Sequence, residues 1–159
     1  MYDHIASSYN ALHGAEQQRK LRALLARVML PKGAVLDVGC ATAHLSSFFS
    51  DREYVGVDPS QPLLDLAPAG VRVLCARGEQ LPFSDSAFPV VLSLTALHNY
   101  SDFRRGVEEL FRVCGDVCLV GVLKKAPASH EIVSLLKQRF SVQEELSDQH
   151  DFLLVLRKV

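Results

Sequence analysis

Apolar positions along the first fifth of the chain recur at helical spacing. Leu12, Leu21, Leu24 and Leu25 are separated by polar and charged residues, which predicts an amphipathic helix over about residues 10–29. Pro31, Lys32 and Gly33 break that pattern, and Ala34-Val35-Leu36-Asp37-Val38 follows as a short apolar run that stops at Gly39. So compact a run predicts a strand covered on both faces. From there the pattern alternates: helix over 44–49, strand over 53–57, helix over 61–66, strand over 71–75, strand over 90–94, helix over 102–113 and strand over 117–122. Ser129 is placed to cap a helix running to about 138. Two strands, 140–146 and 152–159, close the chain with a connection too short for a crossover, so they form an antiparallel pair. The expected fold class is α/β, a mostly parallel seven-stranded sheet with helices on both faces and a C-terminal antiparallel hairpin.

Composition narrows this without redirecting it. The 159 residues suit a single domain spanning 1–159, with 1–30 as its N-terminal helical segment. With 48% hydrophobic residues, 22% charged and a net charge of −1, the chain matches neither a disordered tail nor a protein that grips nucleic acid by bulk charge. The basic cluster Arg19, Lys20, Arg22 and Arg27 reads as a solvated helix face. No apolar run approaches the roughly 20 residues of a membrane span, and the first residues lack the charged and apolar regions of a signal peptide. A cytoplasmic location is expected. Cys40, Cys75, Cys114 and Cys118 are expected to be structural thiols, with no metal site.

The strongest candidate for chemistry is Val35-Leu36-Asp37-Val38-Gly39-Cys40-Ala41-Thr42-Ala43-His44-Leu45, a buried strand that turns at glycine directly into a helix. Small residues let backbone approach a ligand, and open sheets bind ligands beyond the carboxyl ends of their strands. The next strand, Tyr54-Val55-Gly56-Val57-Asp58, ends in a carboxylate about 20 residues on, where such folds hydrogen-bond ribose hydroxyls. The competing reading of Asp58 is an Asx turn or helix cap ahead of Pro59.

These pieces resemble class I S-adenosylmethionine-dependent methyltransferases, in particular the subgroup related to ubiquinone and menaquinone biosynthesis. The resemblance runs through Tyr2-Asp3-His4-Ile5-Ala6-Ser7-Ser8-Tyr9, the VLDVGCATAHL turn, VGVDPS, EQLPFSDSAF at 79–88, SLTALHNYSD at 93–102 and EELFRV at 108–113, and so covers nearly the whole chain. It implies a Rossmann-like class I methyltransferase sandwich and S-adenosylmethionine as cofactor, with S-adenosylhomocysteine as product. It further implies that Asp37, Gly39, Cys40, Ala41 and His44 surround the methionyl side and that Asp58 takes the ribose. Pro59, Ser60, Arg77, Gly78 and Glu79 would line the adenine side, and Tyr9, Ser93 and Leu94 would close the pocket. Four positions depart from the family pattern. Ala41 and Ala43 stand where glycines are usual, each methyl narrowing the cofactor space; Arg77 stands where an acidic residue commonly receives the adenine amino group; Pro89 replaces a common aspartate inside the fourth strand.

Methyl transfer from a sulfonium is an in-line displacement, so the resemblance implies positioning groups rather than a fixed triad. His98 is the candidate base, its alternative reading being a capping or packing residue, and Asn99 and Tyr9 are candidates to position the acceptor. The acceptor is unidentified. The short 124–129 connection leaves no lid, which favours a macromolecular acceptor, an activating partner or a homodimer that completes the site. Two other readings stand beside the enzyme: a non-catalytic cofactor-binding or regulatory subunit, and a nicotinamide-dependent oxidoreductase, against which the closing hairpin and the EQLPFSDSAF block both argue.

Overall fold

The computed structural model describes residues 2–159, with side chains from His13 onward. Helix α1 (Tyr2–Leu25) precedes strand β1 (Val35–Val38), a 3₁₀ helix (His44–Phe49), β2 (Tyr54–Asp58), α2 (Gln61–Leu64), β3 (Arg72–Cys75) and β4 (Phe88–Leu94). A 3₁₀ turn (Leu97–Asn99), α3 (Phe103–Val113), β5 (Cys114–Leu123), α4 (Ser129–Arg139), β6 (Ser141–Ser147) and β7 (Asp151–Arg157) complete the chain. The seven strands form one sheet in the order β3-β2-β1-β4-β5-β7-β6. Strands β1 to β5 pair in parallel, while β7 runs antiparallel to both β5 and β6. This is the expected fold class.

Side chains of successive strand residues point to opposite faces, and here both faces are covered. Val35, Tyr54, Val90, Leu92, Val117, Leu119, Leu153 and Val155 pack with Leu21 and Leu24 of α1, Leu45 and Phe49 of the 3₁₀ helix, and Leu64 of α2. Their neighbours Leu36, Val55, Val57, Val91, Cys118, Val120, Leu154 and Leu156 pack with Val107 and Leu110 of α3 and Ile132 and Leu136 of α4. That two-sided burial makes β1, β4 and β5 read as continuous apolar runs rather than alternating ones.

Several boundaries shift for identifiable reasons. Ser129 is the first residue of α4 rather than its cap; Ala128 holds that place, and the Ser129 hydroxyl donates to the Lys124 carbonyl at 3.0 Å. Asp102 caps α3, accepting from the Arg105 amide at 3.1 Å. Pro89 falls where the β4–β5 register shifts, an irregularity that accommodates its missing amide hydrogen. Lys20 corrects the reading of a solvated basic face: it is only 3% exposed. Its ammonium lies 3.0 Å from Asp151 Oδ1 at the start of β7. No helix among the described residues is long and apolar enough to cross a membrane.

Candidate active site

The carboxyl ends of β1, β2 and β4 open into a cleft of about 420 Å³, walled by Gly39, Ala41, Asp58, Pro59, Leu63, Arg77, Gly78, Glu79, Leu94, Thr95, Ala96, Asn99, Tyr100 and Ser101. Asp58 organises it. Its Oδ2 accepts from the Ala41 amide and its Oδ1 from the Ser60 amide, both at 2.9 Å. The second bond is an Asx turn, so that reading of Asp58 holds. It does not exhaust the carboxylate, because each oxygen keeps a further lone pair. Burial pushes the Asp58 carboxyl above its ordinary value, and the two amide hydrogen bonds offset only part of that.

The glycines here serve the walls as well as the space between them. Gly39 has φ of +84°, and a Cβ on it would stand 2.6 Å from the Ala96 methyl. A Cβ on Gly78 would overlap the Tyr100 ring at 2.3 Å, and one on Gly106 would meet the same ring at 2.4 Å. Tyr100 is thus wedged between two glycines and forms one side of the cleft.

Ala41 and Ala43 have φ of +51° and +57°, the left-handed region. Ala43 is fully buried and lies away from the cleft, so of the two only Ala41 borders it. Left-handed backbone costs an alanine about 1–2 kcal/mol, and glycine gives back roughly 0.5–1 kcal/mol in chain entropy. Ala41→Gly is therefore expected to leave stability unchanged or raise it by up to about 1 kcal/mol, against the usual sign for such a change. A urea titration checks this, and a clear loss of stability would mean that the turn is not strained.

Arg77 turns toward Glu79 and Ser101, donating to Glu79 Oε2 at 3.0 Å and to Ser101 Oγ at 2.7 Å, while Ser101 donates to Glu79 Oε2 at 2.9 Å. Burial raises the Glu79 carboxyl, but the bonds from Ser101, its own backbone and Arg77 outweigh that and hold it below the usual range. An anionic acceptor is therefore present on this side of the cleft, contributed by Glu79 beside Arg77.

Other expected residues lie elsewhere. Asp37 is buried beneath the turn, where the Tyr54 hydroxyl donates to it at 2.6 Å. Cys40 is buried against Gly56, whose Cβ would meet its sulfur at 2.7 Å. Ser93 is fully buried in β4, and Ser60 is the cap of α2. His44 borders a separate surface hollow with Tyr54 and Arg72. None of these five walls the cleft. The side chain of Tyr9 falls outside the described residues.

His98 belongs to a second cavity of about 410 Å³, bounded by His13, Glu16, Gln17, Lys20, Thr95, His98, Asn99, Leu123, Lys125, His150 and Asp151. Thr95 and Asn99 border both spaces. Thr95 has φ of +58°, rare for a β-branched residue, and its hydroxyl donates to Asp151 Oδ2 at 2.8 Å while accepting from Lys20 Nζ at 3.0 Å. Burial lowers the His98 imidazole; Asp151 opposes that shift and Lys20 adds to it, so the ring favours its neutral form. Lys20, Gln17, Thr95 and Asp151 escape sequence reasoning. The sole hint is a lysine at the helical spacing of the buried leucines.

The comparisons with known proteins agree with this architecture. Residues 36–116 match the family model described as a methyltransferase domain. Demethylmenaquinone methyltransferase of Thermus thermophilus is 32% identical over 130 residues, covering 71% of this chain and 59% of that protein. An uncharacterised methyltransferase of Bacillus subtilis is 33% identical over 89 residues, covering 50% of this chain and 35% of its own length. The chain therefore spans between about a third and three fifths of these curated relatives. Among solved structures, a chain of the Haloferax volcanii complex between the Trm112 methyltransferase activator and a methyltransferase-like protein superposes with a TM-score of 0.82 at 15% identity, covering 99% of this chain and 97% of that one. An S-adenosylmethionine-dependent methyltransferase of Thermotoga maritima gives 0.77 at 18% identity, covering 99% and 98%. With its family model spanning 36–116 and its fold superposing on such structures over nearly its whole length, the chain belongs to the methyltransferase-domain family and has the Rossmann-like fold of class I S-adenosylmethionine-dependent methyltransferases.

Proposed function

We propose that this protein transfers a methyl group from S-adenosylmethionine, held in the cleft over β1, β2 and β4, to an acceptor that enters the adjoining cavity beside His98. The observation that carries the reading is the shared border: Thr95 and Asn99 wall both spaces, so two ligands can meet there. The residues fit the cofactor. Asp58 retains lone pairs for the ribose hydroxyls, Glu79 offers an acceptor on the adenine side, and Gly39 and Ala41 bring the backbone of the turn to the methionyl part. Among the cofactor contacts expected from sequence, Pro59, Arg77, Gly78 and Leu94 wall the same cleft.

When bound, the cofactor supplies an electrophilic methyl on a sulfonium, with a neutral thioether as leaving group. The protein supplies placement, which is the dominant requirement of an in-line displacement. Asn99, on the shared border, orients the acceptor, and His98, favoured as a neutral ring, takes the acceptor's proton. Four free thiols support a reducing, cytoplasmic setting.

A second reading, a cofactor-binding subunit completed by a partner, draws support from the similarity to a chain of the Trm112 complex. The same similarity supports an activating partner for an enzyme. A homodimer or a macromolecular acceptor would also cover the cleft, which has Ser101 and Arg77 exposed at its edge.

Calorimetric titration with S-adenosylhomocysteine tests the central claim. Asp58→Ala removes a hydrogen-bonded carboxylate, which is expected to weaken binding by roughly 10- to 100-fold. Equal affinity in the two proteins would remove Asp58 from the cofactor site. Absence of binding in the unaltered protein, alone and with candidate partners, would overturn the reading.

A further inference from the structure

The second cavity is polar on nearly every side. Leu123 is its single apolar wall residue among the described ones, so an oily ring or chain gains little by entering. At about 410 Å³ it has room for a small molecule. Its charges do not cancel. Asp151 is matched by Lys20 at 3.0 Å. Glu16 and, just outside the wall, Asp148 share Arg19 at 3.1 and 3.0 Å, and the Lys124 ammonium donates to the Asp148 backbone carbonyl. Lys125 is left over: it is exposed on the wall, and its ammonium makes no ion pair or hydrogen bond among the described residues. Setting Arg19, Lys20, Lys124 and Lys125 against Glu16, Asp148 and Asp151 leaves one positive charge, to which His13, His98 and His150 add when protonated. The cavity also has two ends. The Thr95 amide donates to the Gly121 carbonyl at 2.8 Å, and Leu123 lies two residues, roughly 7 Å, further along β5, with Lys125 following past the strand end. There the Lys124 amide donates to the His150 carbonyl at 2.8 Å, so Lys125 and the exposed His150 leave adjoining chain segments at one rim. At the other end stand Thr95 and Asn99, bordering the cofactor cleft. His98 has its Nδ1 buried, which leaves Nε2 as the nitrogen able to meet a ligand.

Resting on the methyl-transfer reading above, we propose that the acceptor is a small hydrophilic hydroxy acid, its carboxylate held by Lys125 with His150 beside it and its hydroxyl at the border formed by Thr95 and Asn99. One uncompensated cation matches one carboxylate. An aliphatic amine as nucleophile would arrive protonated and cancel that charge, whereas a hydroxyl leaves it intact. The hydroxyl oxygen forms the new O–C bond as the C–S bond breaks, the electron pair of that bond staying on sulfur to give S-adenosylhomocysteine. The hydroxyl proton passes to His98 Nε2, and the product is the O-methyl ether of the acid.

Nuclear magnetic resonance titration with three pairs of hydroxy acids and their amides tests this: lactate and lactamide, gluconate and gluconamide, quinate and quinamide. Within each pair the probes differ only in carboxylate against carboxamide. All are added to the free protein and to protein saturated with S-adenosylhomocysteine. The expected result is that at least one acid shifts the His98 and His150 ring signals and binds about three- to tenfold more tightly than its amide, between the worth of an exposed ion pair and that of a charged hydrogen bond. Raising the salt from about 0.1 M to about 1 M, which shortens the screening length from roughly 10 Å to 3 Å, should shrink that preference. Lys125→Gln should abolish it while S-adenosylhomocysteine binds as before, which also verifies that the variant is folded, and Lys125→Arg should retain it. Equal binding of acid and amide in every pair, binding of no probe, or a preference untouched by Lys125→Gln overturns the proposal. Failure of S-adenosylhomocysteine to bind would instead count against the methyl-transfer reading, and the free-protein titrations would still decide whether the cavity selects a carboxylate.

Discussion

Lys20→Met is expected to cost about 3–5 kcal/mol of folding stability, read as a shift in the urea midpoint. The side chains of Lys20 and Asp151 are 4% and 0% exposed, and the ammonium lies 3.0 Å from Oδ1. Asp151 Oδ2 also accepts from Thr95 at 2.8 Å. Methionine keeps the length of lysine but strips Asp151 of its cation, leaving a carboxylate among Leu153, Leu94 and the backbone of Gly121. The loss expresses the uncompensated charge, not the net worth of the pair, because burying two ions is itself expensive. The double variant Lys20→Met/Asp151→Leu should therefore recover most of it. A single-variant loss below about 1 kcal/mol would show that water reaches Asp151. Since Thr95 is held between the two ions, Lys20→Met should also loosen the border between the cleft and the second cavity, joining stability to acceptor placement.

Much of the fold was legible because burial on both faces writes itself as uninterrupted apolar runs. Val35 to Val38, Val90 to Leu94 and Val117 to Val122 could hardly be anything but central strands, and the glycine turn followed by Asp58 marked the cleft. What the sequence could not express was distance along the chain. Lys20 and Asp151 stand 131 positions apart, and each alone looks like an ordinary surface ion. The pairing depends on how α1 lies against β7. His98 shows the same limit at short range: as a candidate base it sits at the expected end of β4, but only the fold reveals that it faces a cavity different from the one holding Asp58. Asp37 and Ser93 were expected at the cofactor because they border the motif. Strand alternation instead turns their side chains beneath the sheet surface, where both are buried.

Asp37 gives the second large effect, and it depends on pH. The residue is 2% exposed, and its Oδ2 accepts from the Tyr54 hydroxyl at 2.6 Å. Burial pushes its carboxyl from 3.8 up to about 7; the Tyr54 bond lowers it and the nearby Asp58 charge raises it. Between those two values the folded protein holds a proton that the unfolded chain has released. Stability must then fall as pH rises through that window and level off above it, by an amount on the order of 4 kcal/mol as an upper bound. Asp37→Asn keeps an oxygen for the Tyr54 hydroxyl and cannot ionise. Its stability relative to the unaltered protein should therefore climb steadily between about pH 4 and pH 7, leaving the variant the more stable of the two at mildly alkaline pH. Urea midpoints measured across that range decide it, and parallel profiles for the two proteins would mean that Asp37 ionises freely where it lies. A protonated Asp37 also has a consequence for the cleft. With no second negative charge beneath the turn, the amides of Ala41 and Ser60 favour the ionised form of Asp58 against the upward push of its burial, and that is the form the proposed ribose contact uses.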